Sequence, residues 1–299
     1  MMKTVDKPVM FAVGAVLLSF VGLTIAQLSP HVVGQELNSN FATSLVGAFA
    51  GAIGGAYAAQ KLADKSKIRE WLTSEIRITN AAIMVAFDTC NTLLIVKAQH
   101  VVPIKENWER QRAEFDESLK RVGGVLQRAQ YYVHMDLKAL HPPSTEVGVL
   151  RTMAFEKLSL PGRPVVIVAT LVRCIQSLNH ALAAYNAAID EFRNSGPHPE
   201  EERCRFYFGL RSDQGVMDER YRSSVEGISI YIDYGIWYSQ RLCKELTEYG
   251  DLQAEEWVKK VGGFRPHIKR ISFDGARQDG LIPDDKDYEP WLKAFEANI

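Results

Sequence analysis

The chain has 299 residues, of which 46% are apolar, 24% charged and 10% aromatic. This composition excludes a disordered, collagen-like or miniature disulfide-stapled protein, because it supplies enough apolar residues for a full core. A formal net charge of −1 excludes a global field that would draw the protein to nucleic acid or to an anionic membrane. The four cysteines are widely spaced without a CxxC pair, which favours reduced thiols in the cytosol.

Two uncharged stretches near the N-terminus predict a transmembrane hairpin over residues 1–60. Residues 8–28 are long enough to cross about 30 Å of hydrocarbon as a helix. Residues 42–59 are also uncharged but consist mostly of Ala and Gly, so we expect them to insert together with the first stretch. A cleaved signal peptide is the alternative interpretation of the first stretch, with a small-residue cleavage site at residues 24–26.

The charges that flank the two stretches predict how the hairpin is oriented. The connection at 29–41 carries only Glu36, whereas basic residues lie outside both stretches. The positive-inside rule then places both ends of the hairpin in the cytoplasm, in a multi-pass membrane protein. These flanking basic residues are Lys3, Lys7, Lys61, Lys65, Lys67 and Arg69.

The second stretch contains a repeated GxxxG pattern, formed by Gly47, Gly51 and Gly55. Residues four apart share one helix face, so this face is smooth and suited to close helix packing. One interpretation is packing against the first stretch, which completes a simple anchor. The other is self-association of several hairpins, which leads to a pore or a membrane lesion. Because neither stretch contains an ionisable residue, we expect no proton relay and no charged ion filter.

Residues 61–262 predict a cytoplasmic helical bundle, so the fold class is all-α. Residues 81–96 are apolar enough for a third span, but Asp88 and Asn91 interrupt them, and a buried core helix is expected. The aromatic residues between 221 and 238 are expected in the core rather than in a stacking site. The apolar spacing predicts helices over 61–102, 104–140, 165–194, 199–210 and 216–249, the last ended by Gly250.

Residues 263–299 predict an irregular arm followed by a small amphipathic docking helix with Trp291, Phe295 and Ile299 on one side. Basic residues at 259–270 and acidic residues at 279–289 are expected to neutralise each other. No nucleic-acid site is therefore evident from the sequence.

The sequence contains no Walker loop, GxGxxG, GxSxG, HExxH or EF-hand spacing, so we predict no catalytic residue, no cofactor and no metal site. The nearest enzymatic pattern is the Arg-x4-6-His signature of the helical HEPN ribonucleases. With 19 arginines, seven histidines and three allowed spacings, chance predicts about 1.3 matches, so the three in the chain are unremarkable. Arg193 with His198 is the most family-like of them. His134 and His141 lie seven residues apart on one predicted helix face, where packed or solvated histidines are expected. The remaining matches to the signature are Arg128/His134 and Arg173/His180.

By its layout, a glycine-faced hairpin followed by a charge-balanced helical domain, the chain resembles the two-transmembrane effectors of bacterial antiphage abortive-infection systems, including those encoded with retrons. The resemblance implies an effector that an inhibitory or sensing protein or nucleoprotein keeps silent, and that damages the inner membrane when released. Two alternatives remain open: a membrane-tethered ribonuclease that uses Arg193 and His198, and a passive membrane scaffold.

Overall fold

The computed structural model describes residues 35–123, 131–211 and 215–296, and within these ranges the regular structure is helical apart from one isolated β-bridge. The all-α prediction is thus confirmed for this part of the chain. The chain divides into two compact units at the Ser66–Lys67 bond. The first predicted span, 8–28, lies outside the described residues, whereas most of the second lies in a long helix.

The connections between the helices vary in length, and 25 residues separate Arg121 from Val147. Pro103 does not end the first long helix in a loop; the backbone instead widens into a π-helical turn just before the proline and continues as helix. The elements are α1 (Gln35–Val96), a π turn (Lys97–Val101), α2 (Val102–Arg121), α3 (Val147–Thr152), a second π turn (Met153–Lys157), α4 (Gly162–Asn194), α5 (Glu200–Phe208), α6 (Arg220–Lys260), α7 (Asp274–Gln278), a 3-10 turn (Asp285–Tyr288) and α8 (Glu289–Glu296).

The core of the unit Lys67–Ile299 lies where α4, α6 and the C-terminal half of α1 meet. Ala82, Ile83 and Ala86 are buried, and the Cys90 thiol, also buried, lies 3.7 Å from the Ile236 carbonyl oxygen. Several residues of the predicted core helix at 81–96 thus lie in the core of this unit. By length and composition alone, the helical runs Ser44–Arg121 and Gly162–Asn194 could cross a membrane.

The helix predicted at 104–140 ends at Arg121, and its part at 131–140 is wrong because these residues are not helical; residues 124–130 lie outside the described residues. Gly123 adopts a φ of +69°, a left-handed conformation that glycine accepts readily, and the chain leaves the helix there. Residues 131–146 contain no helix and cross the bundle as an extended segment, which we call the strap. His134 and His141 consequently do not share a helix face.

Side chains from several helices bind the backbone of the strap. The Gln111 side-chain oxygen accepts from His134 N at 3.1 Å. Asn186 pairs with Leu140 twice, accepting from its amide at 2.9 Å and donating to its carbonyl at 2.8 Å. These hydrogen bonds satisfy backbone groups of the strap that have no partner in a helix or a sheet. A buried backbone N–H or C=O group without a partner would lower the stability of the fold.

The predicted end of α6 at Gly250 is also wrong, because α6 continues to Lys260. Gly250 is needed for close packing: a Cβ atom there would lie 2.9 Å from Ile268 Cγ2. Of the aromatic residues predicted in the core, Tyr221, Trp237 and Tyr238 are buried, Tyr231 is half-buried and Tyr234 is exposed. Trp291 of α8 packs edge-on against Trp237, with ring centroids 5.5 Å apart, so the C-terminal helix docks on the bundle.

Candidate functional site

The most unusual surface among the described residues is an apolar stretch of α1, residues 44–59, which we call the apolar segment. It contains no charged residue, and every side chain in it is exposed except Leu45, which is half-buried. Large apolar side chains such as Phe49, Ile53 and Tyr57 are among those exposed. Soluble monomers rarely leave a continuous apolar patch of this kind in water, so the segment marks an interaction surface.

The glycine row of the apolar segment is open. No described residue lies within 4 Å of the position that a Cβ atom would occupy on Gly47, Gly51 or Gly55. Helix glycines of this spacing allow two backbones to approach closely, with their Cα–H groups and carbonyls in contact. The predicted partner residues on the first span, Ala15, Ser19 and Gly22, lie outside the described residues. The row therefore has the geometry of a helix-packing face whose partner is not among the described residues.

Arg193 and His198, the ribonuclease candidates, lie where α4 ends and α5 begins. Arg193 Nη2 donates to the carbonyl of Leu137 at 2.7 Å and so anchors the strap. His198 instead stacks on Phe192, with ring centroids 4.1 Å apart. Within the part of the chain that the structure describes, no hydrogen bond joins the Arg193 and His198 side chains.

Both ring nitrogens of His198 face hydrogen-bond partners. Nδ1 lies 2.9 Å from Glu202 Oε2, while Nε2 lies 2.9 Å from both Ser195 Oγ and the Phe192 carbonyl oxygen. The Glu202 carboxylate and then the Phe192 carbonyl raise the pKa of His198. A carbonyl oxygen can only accept a hydrogen bond, so Nε2 must carry a proton to bind the Phe192 carbonyl. The arrangement therefore favours a protonated ring that holds the loop, rather than a neutral ring that could accept the proton of Ser195.

The other candidate pairs are not assembled into a site. Arg173 Nη2 donates to Thr170 Oγ1 at 3.3 Å, one turn earlier on α4, and His180 lies farther along the same helix. Arg128 falls outside the described residues, although His134 lies in the strap. No group of three or more potential metal ligands occurs in the described ranges.

Three open grooves cross the bundle surface, and the sequence pattern gave no signal for them. The first, of about 610 Å³, lies between α6 and residues 270–285. The second, of about 440 Å³, adjoins His198, where Arg220 pairs with Glu191 and Asp218. The third, of about 580 Å³, runs between α4 and α6 over small side chains.

Comparison with known proteins gives no relative for this chain. No protein-family model, no curated protein and no solved structure matches it.

Proposed function

We propose that the chain is an integral membrane protein, with the apolar segment in the lipid bilayer and the bundle on the cytoplasmic side. The observation that carries this proposal is the exposure of a continuous, uncharged helix surface over residues 44–59. In water this surface is unfavourable, whereas hydrocarbon accommodates it and the helix satisfies its own backbone hydrogen bonds. Exposed Lys61 and Lys65 follow the segment, as expected at the cytoplasmic face.

Within the membrane, we propose that the glycine row self-associates when the protein is activated. Lipid gives apolar helices no hydrophobic reason to pair, so close contact between small residues must supply the attraction. Gly47, Gly51 and Gly55 offer such a contact to a second copy of the same helix. Several hairpins assembled in this way would perturb the bilayer.

The proposed role of the bundle is to bind a sensing or inhibitory partner and to respond when that partner releases it. The layout of the chain, a hairpin followed by a helical domain, leads us to propose an effector of antiphage abortive infection that this partner keeps silent. α1 contributes the apolar segment and also core residues such as Ile83 and Cys90. A partner that rearranges the bundle core therefore acts on the same helix that carries the glycine row.

The test is the membrane potential of bacteria during induced expression, followed together with entry of an impermeant dye. The full chain is compared with a truncated chain that begins at Lys61. We expect rapid depolarisation with the full chain only. Toxicity that the truncated chain retains, without depolarisation, would contradict the proposal and direct attention to a cytosolic activity.

The self-association step has its own variant pair. Gly51→Leu with Gly55→Leu places two bulky side chains on the glycine row and should weaken association roughly tenfold, with loss of toxicity. Ile53→Leu is the matched control, since it keeps a bulky apolar residue on the opposite face. Association can be followed by energy transfer between labelled copies in lipid vesicles. Equal association of both variants would show that the glycine row is not the contact.

A further inference from the structure

The turn after α6 displays a phenylalanine in the open. Phe264 is 99% exposed, the highest value among the exposed large apolar side chains of the described residues. Gly262 and Gly263 before it both have a φ of +86°, a left-handed conformation that favours glycine, and they turn the chain away from the helix. Val258, in the last turn of α6, is also exposed. This end of the bundle therefore leaves the whole Phe264 ring and part of Val258 exposed.

The surroundings of Phe264 are cationic. Residues 251–270 contain five basic and three acidic side chains, which gives a net charge of +2 with His267 neutral. Ion pairs hold four of the basic side chains, Lys259 and Lys260 with Glu256 and Arg265 and Arg270 with Asp251, so the net charge of +2 is what remains after these acids are counted. The five basic residues are Lys259, Lys260, Arg265, Lys269 and Arg270.

The turn lies at a defined end of the bundle. α6 runs antiparallel to the C-terminal half of α1, so the end of α6 lies at the level of Lys67, the first residue of this unit. Lys67 follows Ala59, the last residue of the apolar segment, by eight residues. The register is set by the contacts of Ile236 with Cys90 (3.7 Å), Cys243 with Ile83 (3.7 Å) and Tyr249 with Glu75 (2.8 Å).

We propose that residues 262–265 form a membrane-surface anchor that inserts Phe264 into the interface of an anionic bilayer. Aromatic rings are favoured at the level of the lipid headgroups, and nearby Lys or Arg side chains bind the headgroup phosphates. The net positive charge around the ring selects anionic lipid over a neutral surface. This inference rests on the proposed insertion of the apolar segment, and it assigns a second, reversible lipid contact to the bundle.

The test places a spin label at position 264 through Phe264→Cys in the full chain. The protein is reconstituted in vesicles made of equal parts phosphatidylcholine and phosphatidylglycerol, or of phosphatidylcholine alone. Collisions of the label with oxygen, which concentrates in lipid, and with a water-soluble nickel chelate report its depth. Background labelling is low because the native cysteines are buried, and burial raises the pKa of the Cys90 thiol to about 12.

If residues 262–265 form this anchor, the label at 264 collides more with oxygen than with the nickel chelate in the anionic vesicles. In phosphatidylcholine vesicles it collides more with the nickel chelate. Tyr132→Cys is the matched control, because Tyr132 is another exposed aromatic residue, at 75%, and its label should stay aqueous in both vesicles. Replacing Lys259, Lys260 or Arg265 by Gln should lower the inserted fraction by about fivefold for each charge removed.

Two results would overturn the anchor. The label at 264 could be as aqueous as the label at 132 in both vesicles, or it could be shielded from both reagents, which indicates a protein contact. A label at Ile53→Cys keeps these results separate from the proposed function. If the label at 53 lies in lipid while the label at 264 stays aqueous, only the anchor fails. If the label at 53 is aqueous, the membrane insertion itself fails.

Discussion

The glycines of α6 and those of the apolar segment of α1 are both helical, but their surroundings differ. A Cβ atom on Gly235 would lie 2.6 Å from Leu93 Cδ1, and one on Gly250 would lie 2.9 Å from Ile268 Cγ2. In the segment 44–59, no described residue comes within 4 Å of such an atom on any glycine. Close contacts inside the bundle thus explain Gly235 and Gly250, whereas no contact with a described residue explains the glycines of the segment.

The two regions also differ in what an exposed apolar side chain means. Ile53 in the apolar segment and Ile230 on α6 are almost equally exposed, at 50% and 48%. Glu226 and Asp233 lie one turn before and after Ile230, so its surface is polar. Ile53 has no charged residue within the segment around it. A single exposed isoleucine in a polar surface is ordinary, whereas a continuous apolar surface indicates contact with hydrocarbon.

Replacing each of these two isoleucines by lysine tests this difference and gives the largest of the predicted effects. Ile53→Lys places a charge inside the proposed span and should cost about 3 kcal/mol of insertion. Ile230→Lys, at equal exposure, should change the free energy of unfolding by less than about 0.5 kcal/mol. The measurement is the fraction of the bundle that a protease added outside spheroplasts can cut, because failure of the second span leaves the bundle on the outer side of the first. If Ile53→Lys leaves the bundle as protected as Ile230→Lys does, the segment does not lie in hydrocarbon.

Replacing one glycine of each region by leucine tests whether that glycine is packed against the bundle. Gly250→Leu must displace Ile268 and Thr79, whose Cγ2 atom is 3.2 Å from the added Cβ, and we expect a loss of about 2 kcal/mol. Gly51→Leu meets no described neighbour and should leave bundle stability unchanged. Urea titrations of both variants, followed by near-ultraviolet circular dichroism, measure the difference. An equal loss in both would mean that the segment is packed on the bundle.

Periodicity predicted the parts of the fold that depend on local pattern. The apolar spacing located α4 and the core half of α1, and it placed Tyr221 and Trp237 in the core. It misplaces the end of α6, because a glycine that follows an apolar pattern predicts the end of a helix. Gly250 instead lies inside α6, where it lets Ile268 approach closely. A glycine in a sequence does not reveal which of these two uses it serves, since the neighbour lies far away in the chain.

The strap shows a second limit of prediction from sequence, and it bears on the candidate site. The helix expected at 104–140 stops at Arg121, and residues 131–146 are held by side chains from distant helices, including Asn186 and Arg193. No local pattern encodes such partners. Arg193, selected from the sequence for its spacing to His198, makes its hydrogen bond to the strap, and its spacing alone could not indicate this role.

The smallest predicted effect concerns the loop that His198 ties together. Its folded-state pKa is raised by Glu202 and the Phe192 carbonyl, so the bonds of the protonated ring stabilise the fold below about pH 6.5 and are lost as the pH rises through the folded-state value. Glu202 and the nearby Arg203 are the charged groups that act on it. We expect the melting temperature to fall by about 1 to 3 °C between about pH 6 and pH 8, an effect of the size that an exposed ion pair has on stability.

The variant His198→Asn should flatten this pH dependence of the melting temperature in scanning calorimetry. His180→Asn, which removes an exposed histidine of α4, should preserve it. If both variants keep the full pH dependence, His198 is not its source.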